Sequence, residues 1–373
     1  MTDDYELKEV SSAQEERFRS EAFPLMNMLS ALGVDPIGVL QNAKAYTLNT
    51  HPGLIGGGSV PEDAFIQRIK SGLMAPHSTG LKWLDDMFGG GIVDSTIMAV
   101  IGAPSTGKTT LCLQLAVAMA MMGRDVRYVS LEMDTVAMLH KAISCFAHQA
   151  SINLTSDEID KAYTDDHETE KWKSVRSFVH EYFLQINPHL QIVKKLPEGG
   201  DIHDLDSVMR YLKNEADELV KAGQKAPVVV MDYLQLLNAV GAADEKDIVK
   251  RADIALRHYV EDYNAIAIVI YASNRDSNKS GVVSLYSGRD SSVIEYGADY
   301  VLTINFQELT TKGSTADITE LKKRNPRDML LRLEKNRHGA LEDSRLWYYP
   351  AYNYFTEWKK LNEVPAMFRS EKK

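Results

Sequence analysis

The sequence predicts an α/β protein with a mostly parallel central sheet, and three observations carry that expectation. Short, near-continuous apolar runs alternate with longer helical stretches from Ser78 to Trp358, the pattern of strands covered on both faces. One such run, Thr96-Ile-Met-Ala-Val-Ile101, feeds Gly102-Ala103-Pro104-Ser105-Thr106-Gly107-Lys108-Thr109, and a helical stretch follows at once. Another, Val228-Val-Val-Met231, ends in Asp232. Strand, glycine-bounded loop and helix in that order make a phosphate-binding loop of pattern G-x-x-x-x-G-K-[ST], so a nucleoside triphosphate site is expected.

The elements follow in chain order. With 373 residues there is room for one large α/β domain and a small appendage, or for two modest domains. Residues 1–50 read as a helical N-terminal segment (Phe18, Phe23, Leu25, Met26, Leu29, Leu32, then Val39 and Leu40), with Gly33-Val-Asp-Pro36 as a turn. So short a piece cannot bury a stable core alone and is expected to dock on the rest of the chain or on a neighbour. Residues 51–77 read as a glycine-rich linker and a linker helix. That helix, over 62–73, puts Phe65, Ile66 and Ile69 on one face and either packs locally or reaches an adjacent subunit. The α/β domain is expected over 78–360 and a tail over 361–373. Its strands fall at 96–101, 127–131, 227–231, 265–270, 300–304 and 330–333, and a closing hairpin pairs 345–349 with 354–358. The helix after the loop runs over 110–122 and is closed by Gly123.

Composition narrows the function classes. The longest apolar run, 111–122, is interrupted by Gln114 and is too short to span a bilayer, so no membrane partner is expected. The first residues are acidic (Asp3, Asp4, Glu6, Glu9), unlike a targeting peptide. Cys112 and Cys145 form no metal or redox spacing and read as reduced core thiols, which fits a cytoplasmic protein. A net charge of −10 disfavours a broad nucleic-acid surface, yet it is unevenly spread. Residues 151–170 are rich in acids, whereas residues 311–340 are rich in bases. Net charge alone does not decide the DNA question.

The loop assigns roles by residue type. Gly102 and Gly107 permit angles or close approach that a Cβ would block. Amides of residues 102–110 other than Pro104, Thr110 included, and the following helix dipole offer positive potential to phosphate oxygens. Lys108 supplies a charge to the β- and γ-phosphates, and the Thr109 hydroxyl suits Mg²⁺. Asp232, ending an apolar strand, would hold the same Mg²⁺. Glu132 follows another strand, and the ends of parallel strands open on one edge, so it is a candidate general base. Its alternative is a solvated acid near the helix cap Asp134. Lys335 and Arg337 stand two apart on an expected strand and share a face, either solvated or aimed at an anion.

These residues together resemble the DnaB-like replicative helicases. The resemblance runs through Ser78-Thr-Gly-Leu-Lys-Trp-Leu-Asp-Asp-Met, the loop 102–109, Ser130-Leu-Glu132-Met and Met231-Asp232-Tyr-Leu-Gln235-Leu. It continues through Arg289-Asp-Ser-Ser-Val-Ile-Glu295-Tyr-Gly-Ala-Asp299 and Glu334-Lys335-Asn-Arg337-His-Gly339, in the family's order over about residues 78–358. It implies a RecA-type core, a homo-hexameric ring with ATP and Mg²⁺ between subunits, and 5′→3′ translocation on single-stranded DNA. It also makes Glu132 the catalytic glutamate and Lys335 and Arg337 the pair inserted into a neighbour's site, where such a finger is worth about 10³–10⁵ in rate.

Two departures stand out. Ala272 occupies the position of a glutamine that, in the family, relays the γ-phosphate state to the DNA loop. The part before residue 78 is shorter than the family's N-terminal domain, so neither a primase nor a loader is carried over as a partner. DNA contact is expected in two Gly/Ser-rich loops: 238–251, with Lys246, Lys250 and Arg251, and 275–289, with Arg275, Lys279 and Arg289. For each of these bases simple solvation is the alternative. The dense run Lys322-Lys323-Arg324-Asn-Pro326-Arg327 is an outer DNA contact or a solvated turn. The rivals to a helicase are a RecA-like recombination or annealing ATPase and a KaiC-like ATP switch.

Overall fold

The computed structural model describes residues 75–359 apart from 166, 198, 275–280 and 288–290, together with 66–67 and 69–70. The expected N-terminal segment, the glycine-rich linker and the tail lie outside the described residues. Of the linker helix, only 66–67 and 69–70 are described, and they are helical.

A nine-stranded sheet organises the domain, in the order β3-β2-β4-β5-β1-β6-β7-β8-β9. Its parallel part comprises β1 (Thr96–Gly102), β2 (Val126–Ser130), β3 (Leu190–Val193), β4 (Val228–Asp232), β5 (Ile266–Ala272) and β6 (Tyr300–Phe306). The strands β7 (Arg327–Asn336), β8 (Asp343–Tyr349) and β9 (Tyr354–Glu357) extend it antiparallel. The expected closing hairpin is β8 and β9, in register from Leu346 opposite Glu357 to Tyr349 opposite Tyr354.

The sequence forms these strands because both faces are covered. On β1, Met98 and Val100 enter one apolar core while Ile97, Ala99 and Ile101 enter the other, as the two-residue period of a strand requires. The first core is built with α1 (Lys82–Phe88), α2 (Lys108–Met121), α3 (Thr135–Gln149), α4 (Ser156–Thr164) and α5 (Glu170–Gln185). The second is built with α6 (Leu205–Lys221), α7 (Glu245–Tyr263) and α8 (Ser291–Gly297). A last short helix, α9 (Ile318–Lys323), precedes β7.

Helix α2 shows how a polar residue enters an apolar run. Its residues from Thr110 to Ala120 are buried, and Gln114 among them donates from Nε2 to Phe355 O at 2.8 Å. Gln114 Oε1 accepts from Phe355 N at 2.7 Å, so one amide ties the helix to the terminal strand. The helix begins two residues earlier than expected and ends at Met121, with Gly123 left-handed just beyond it. Cys112 and Cys145 are both free and buried. No helix of the described residues is long and apolar enough to cross a membrane.

The stretch 238–251 is not one loop. Residues 245–251 are the first two turns of α7, capped by Asp244, whose side chain accepts from Asp247 N. Short-range signals for that cap are present in Asp244 and the acids after it, but the small residues before it obscure them.

Candidate nucleotide-binding site

The loop leaves β1 at its carboxyl end and enters α2 at Lys108. Gly107 has φ +97°, and a Cβ there would lie 2.7 Å from Phe355 Cζ and 3.0 Å from Tyr348 Cε1. Those two rings stack at 4.3 Å and 8° against the loop. At Gly102 only close approach matters, since a Cβ would meet Thr106 Oγ1 at 2.6 Å. Thr106 Oγ1 donates to Ala103 O at 2.8 Å, and Ser105 takes a left-handed φ of 68°. The loop is thus held by its own side chains and backed by aromatic rings.

A cavity of 660 Å³ opens at this edge, lined by Lys108, Thr109, Glu132 and Asp232 among others. Register explains the gathering. Ser130 of β2 pairs with Asp232 of β4, and Leu131 N donates to Asp232 O, so Glu132 and Asp232 emerge side by side. Gly102 of β1 pairs with Ala272 of β5, and Ser273 Oγ donates to Gly102 O at 3.1 Å. The Lys108 ammonium donates to Gly102 O at 2.7 Å and to Ala103 O at 3.2 Å. Burial lowers its pKa, opposed by the charges of Asp232 and Glu132. Asp232 is itself buried, which raises its pKa, while hydrogen bonds from Tyr128 and Thr109 pull the other way. The Tyr128 hydroxyl donates to Asp232 Oδ2 at 2.8 Å. Glu132 is exposed to the cavity.

Three cavity residues are not legible as such in the sequence. Lys141 of α3 reaches in, donating to Asn353 Oδ1 at 2.9 Å, and its burial lowers its pKa. Arg327 donates to Ser105 O at 2.8 Å and lies over the Tyr348 ring at 5.4 Å. Both Arg327 and Tyr348 line the cavity. Arg327 opens β7 against the loop and also donates to Lys322 O and Arg324 O, so it joins the basic turn to the phosphate loop. Its basic neighbourhood is the available signal. Lys141 has none, since an isolated lysine on an amphipathic helix looks like any surface lysine.

Lys335 and Arg337 are absent from the cavity lining. Lys335 ends up opposite Val301, at the start of β6, and Tyr300 pairs with Met98 near the start of β1. At about 3.3 Å per residue, the pair sits roughly 13–16 Å along the sheet from the loop. Lys335 Nζ donates to Glu295 O and Ala298 O, at 2.5 and 2.6 Å. Arg337 lies one residue past the end of β7 and donates to Asp299 Oδ1 at 2.9 Å and Tyr296 O at 2.7 Å.

The expected DNA residues divide. Lys246 and Lys250 are exposed one helical turn apart on α7, on one face. Arg251 donates to Val240 O and Gly241 O and pairs with Asp247 at 2.8 Å, so it staples the turn before the helix. Arg275, Lys279 and Arg289 lie outside the described residues.

A parallel sheet with a phosphate loop at the end of its central strand, facing a buried strand-end acid, defines a RecA-like ATPase fold. Residues 77–357 match the family model for the DnaB-like helicase C terminal domain, and the chain belongs to that family. A probable replicative DNA helicase from Trieres chinensis is 21% identical over 300 residues, covering 77% of this chain and 58% of its own length. The DNA repair and recombination protein RadB of Methanoculleus marisnigri is 44% identical over 55 residues, covering 15% of this chain and 25% of that protein. The chain thus spans a quarter to somewhat over half of these relatives. A solved DnaB-like replicative helicase, described with its interactions with primase, superimposes with a TM-score of 0.62 at 19% identity, covering 93% of this chain and 77% of that one.

Proposed function

We propose that this chain is an ATP-driven DNA helicase that moves 5′→3′ on single-stranded DNA as a six-membered ring. The observation that carries this reading is a division of parts. Lys108, Asp232 and Glu132 face one cavity, whereas Lys335 and Arg337 stand at the other edge of the sheet. A chain so divided has half a site at each end and acts with a neighbour.

Loop amides from residues 102–110, Pro104 excepted, and the Lys108 ammonium bind the triphosphate. The hydroxyl of Thr109 and the carboxylate of Asp232 are hard oxygen donors at adjoining positions, which fits Mg²⁺. When bound, Mg²⁺ offsets charge on the β- and γ-phosphates. Glu132 takes the proton of the water whose oxygen bonds the γ-phosphorus, as the bond to the β,γ-bridging oxygen breaks. Arg337 and Lys335 stabilise the charge that develops on the neighbour's phosphates. Lys246 and Lys250, with Arg275, Lys279 and Arg289, contribute phosphate contacts that sum around the ring. The ATPase domain spans 78–360 on this reading, and the segment 1–50 and the linker helix, outside it, dock either on that domain or on a neighbouring subunit.

The test is the ATPase rate with and without single-stranded DNA, particle images of the same sample, and unwinding of a forked duplex. Stimulation, closed rings and unwinding from the 5′ tail are expected. The short RadB match favours one other reading, a RecA-like recombination ATPase. Filaments or open assemblies without unwinding would select it, and DNA-independent turnover in rings would select a KaiC-like switch.

A further inference from the structure

Four successive carbonyls close α8, and each is taken by a cation from elsewhere in the chain. Glu295 O and Ala298 O accept from Lys335, Tyr296 O accepts from Arg337, and Gly297 O accepts from Arg257. The end of a helix is where unpaired carbonyls and the negative end of the dipole favour cations. The next residue is Asp299, which is buried. Its Oδ1 accepts from Arg337 Nη1 at 2.9 Å, and its Oδ2 accepts from Arg257 Nη2 at 2.8 Å and from Ile97 N at 2.8 Å. Its backbone completes the tie, with Asp299 N donating to Ile97 O and Arg337 N donating to Asp299 O.

We infer that Asp299, with the carbonyls that close α8, is the positioning residue for the Lys335–Arg337 pair that this chain donates to a neighbour's ATP site. The inference rests on the proposed shared site and assigns what holds its donated half.

The valences support positioning over simple neutralisation. A guanidinium has five N–H donors and an ammonium has three. Arg337 spends one on Asp299 and one on Tyr296, and its side chain remains 45% exposed. Lys335 spends two of three. Each cation is gripped on one side and keeps donors for a phosphate on the other. Asp299 also anchors the grip to the core, because Ile97 belongs to β1, the strand that carries the phosphate loop. A finger fixed before the reaction saves the ordering of two long side chains, the source of preorganised electrostatic stabilisation.

A structural role and a positioning role differ in direction. A chain with a damaged cradle is a poor donor of the finger, yet its own loop, Glu132 and Asp232 accept an intact finger normally. Mixtures of two inactive chains separate the directions, because a Lys108→Ala chain can only donate a finger and an Arg337→Ala chain can only accept one. In the donor arm, Asp299→Asn is added to the Lys108→Ala chain, which is mixed with Arg337→Ala chains. In the acceptor arm, Asp299→Asn is added to the Arg337→Ala chain, which is mixed with Lys108→Ala chains. The mixture with Asp299 intact in both chains is the reference, and a thermal melt is taken of every chain.

The expected result is a loss of about tenfold or more in the donor arm, against the 10³–10⁵ attached to a finger. Turnover in the acceptor arm should stay within about twofold of the reference, since no cavity residue is touched. Equal losses in both arms, or an intact donor arm, overturn the inference. If the reference mixture itself recovers no turnover, the shared site fails instead, and the two failures are thereby distinct. Arg257→Met is the second variant, for the case that Asp299→Asn does not fold. It removes the other cationic partner of Asp299 and the cation on Gly297 O, and the same one-sided loss is expected, with a symmetric loss again overturning the inference.

Discussion

Replacing Gly107 by alanine tests whether the aromatic pair against the phosphate loop is a rigid buttress. The φ of +97° is strained for any L-residue, at about 1–2 kcal/mol. The added Cβ would also stand 2.7 Å from Phe355 Cζ and 3.0 Å from Tyr348 Cε1. Ordinary carbon contacts are about 3.5–4.0 Å, so ring or loop must yield by roughly 1 Å. The rings stack on each other at 4.3 Å, and Phe355 is tied through its backbone to Gln114 on both sides, so neither gives easily. Overpacking of this sort costs about 1–3 kcal/mol, for a total of about 2–5 kcal/mol. Gly123→Ala is the matched control, with a φ of +77° and no atom of the described residues within 4 Å of its Cβ. It should lose only about 1–2 kcal/mol. Urea unfolding of both variants reads the difference, and steady-state hydrolysis reads its consequence. A loop displaced by roughly 1 Å should slow turnover by about ten- to a hundredfold in Gly107→Ala and leave Gly123→Ala near wild type. Equal unfolding midpoints for the two variants would show that the stack yields freely and would refute the buttress.

Four further outcomes follow from the same geometry. Lys108→Ala should weaken triphosphate binding in a fluorescent-nucleotide titration, whereas Glu132→Gln should bind and hydrolyse at least about tenfold more slowly, about 1.4 kcal/mol of barrier; near-normal turnover would move the base to another acid, Asp134 first. Lys141→Met should also weaken binding, since it removes a cation from the cavity wall, and unchanged affinity would restrict Lys141 to holding Asn353. Asp253 is raised to about 6 by burial first and by Asp299's charge, against Arg257 and Lys335, so its stabilising contribution is present below the ordinary value of 3.8 and lost as pH rises through about 6. Asp253→Asn should therefore raise stability at pH 8 by at most about 3 kcal/mol and change it little near pH 4, with the opposite trend in paired melts counting against this assignment. Ala272→Gln, at the end of β5 beside Gly102, should increase the DNA stimulation of hydrolysis if that position carries the γ-phosphate relay, and an unchanged ratio would shift the relay to a residue such as Ser273.

Much of the sheet is legible in the sequence because burial on both faces leaves a near-continuous apolar signature, as in β1, β4, β5 and β6. Strand β3 is not, because it lies at the edge, is only Leu190–Val193 and has Gln191 exposed. Strand β7 shows only at its apolar centre, since Arg327, Arg332 and Lys335 break the run at half-buried positions. The loop, Asp232 and Glu132 are legible because local order fixes their chemistry. Lys141 is not, because only the fold brings residue 141 to residue 353. The grip on Arg337 likewise joins residues about forty positions apart in sequence, so the short pattern around 334–339 shows the cations but not what holds them.

A parallel sheet separates these two groups for a simple reason. All six parallel strands begin at one edge and end at the other, so residues that follow strands gather together, as Glu132, Asp232 and the loop do. Strand β7 runs the opposite way, so the residues that follow it arrive where the parallel strands begin. Lys335 and Arg337 therefore reach the amino edge because β7 reverses, not because of any feature of the cations themselves. Extending the sheet by an antiparallel strand is thus what places a strand-end cation pair away from its own loop. On the proposed reading, that reversal makes hydrolysis depend on assembly, and Asp299 makes the donated pair as well ordered as the site that receives it.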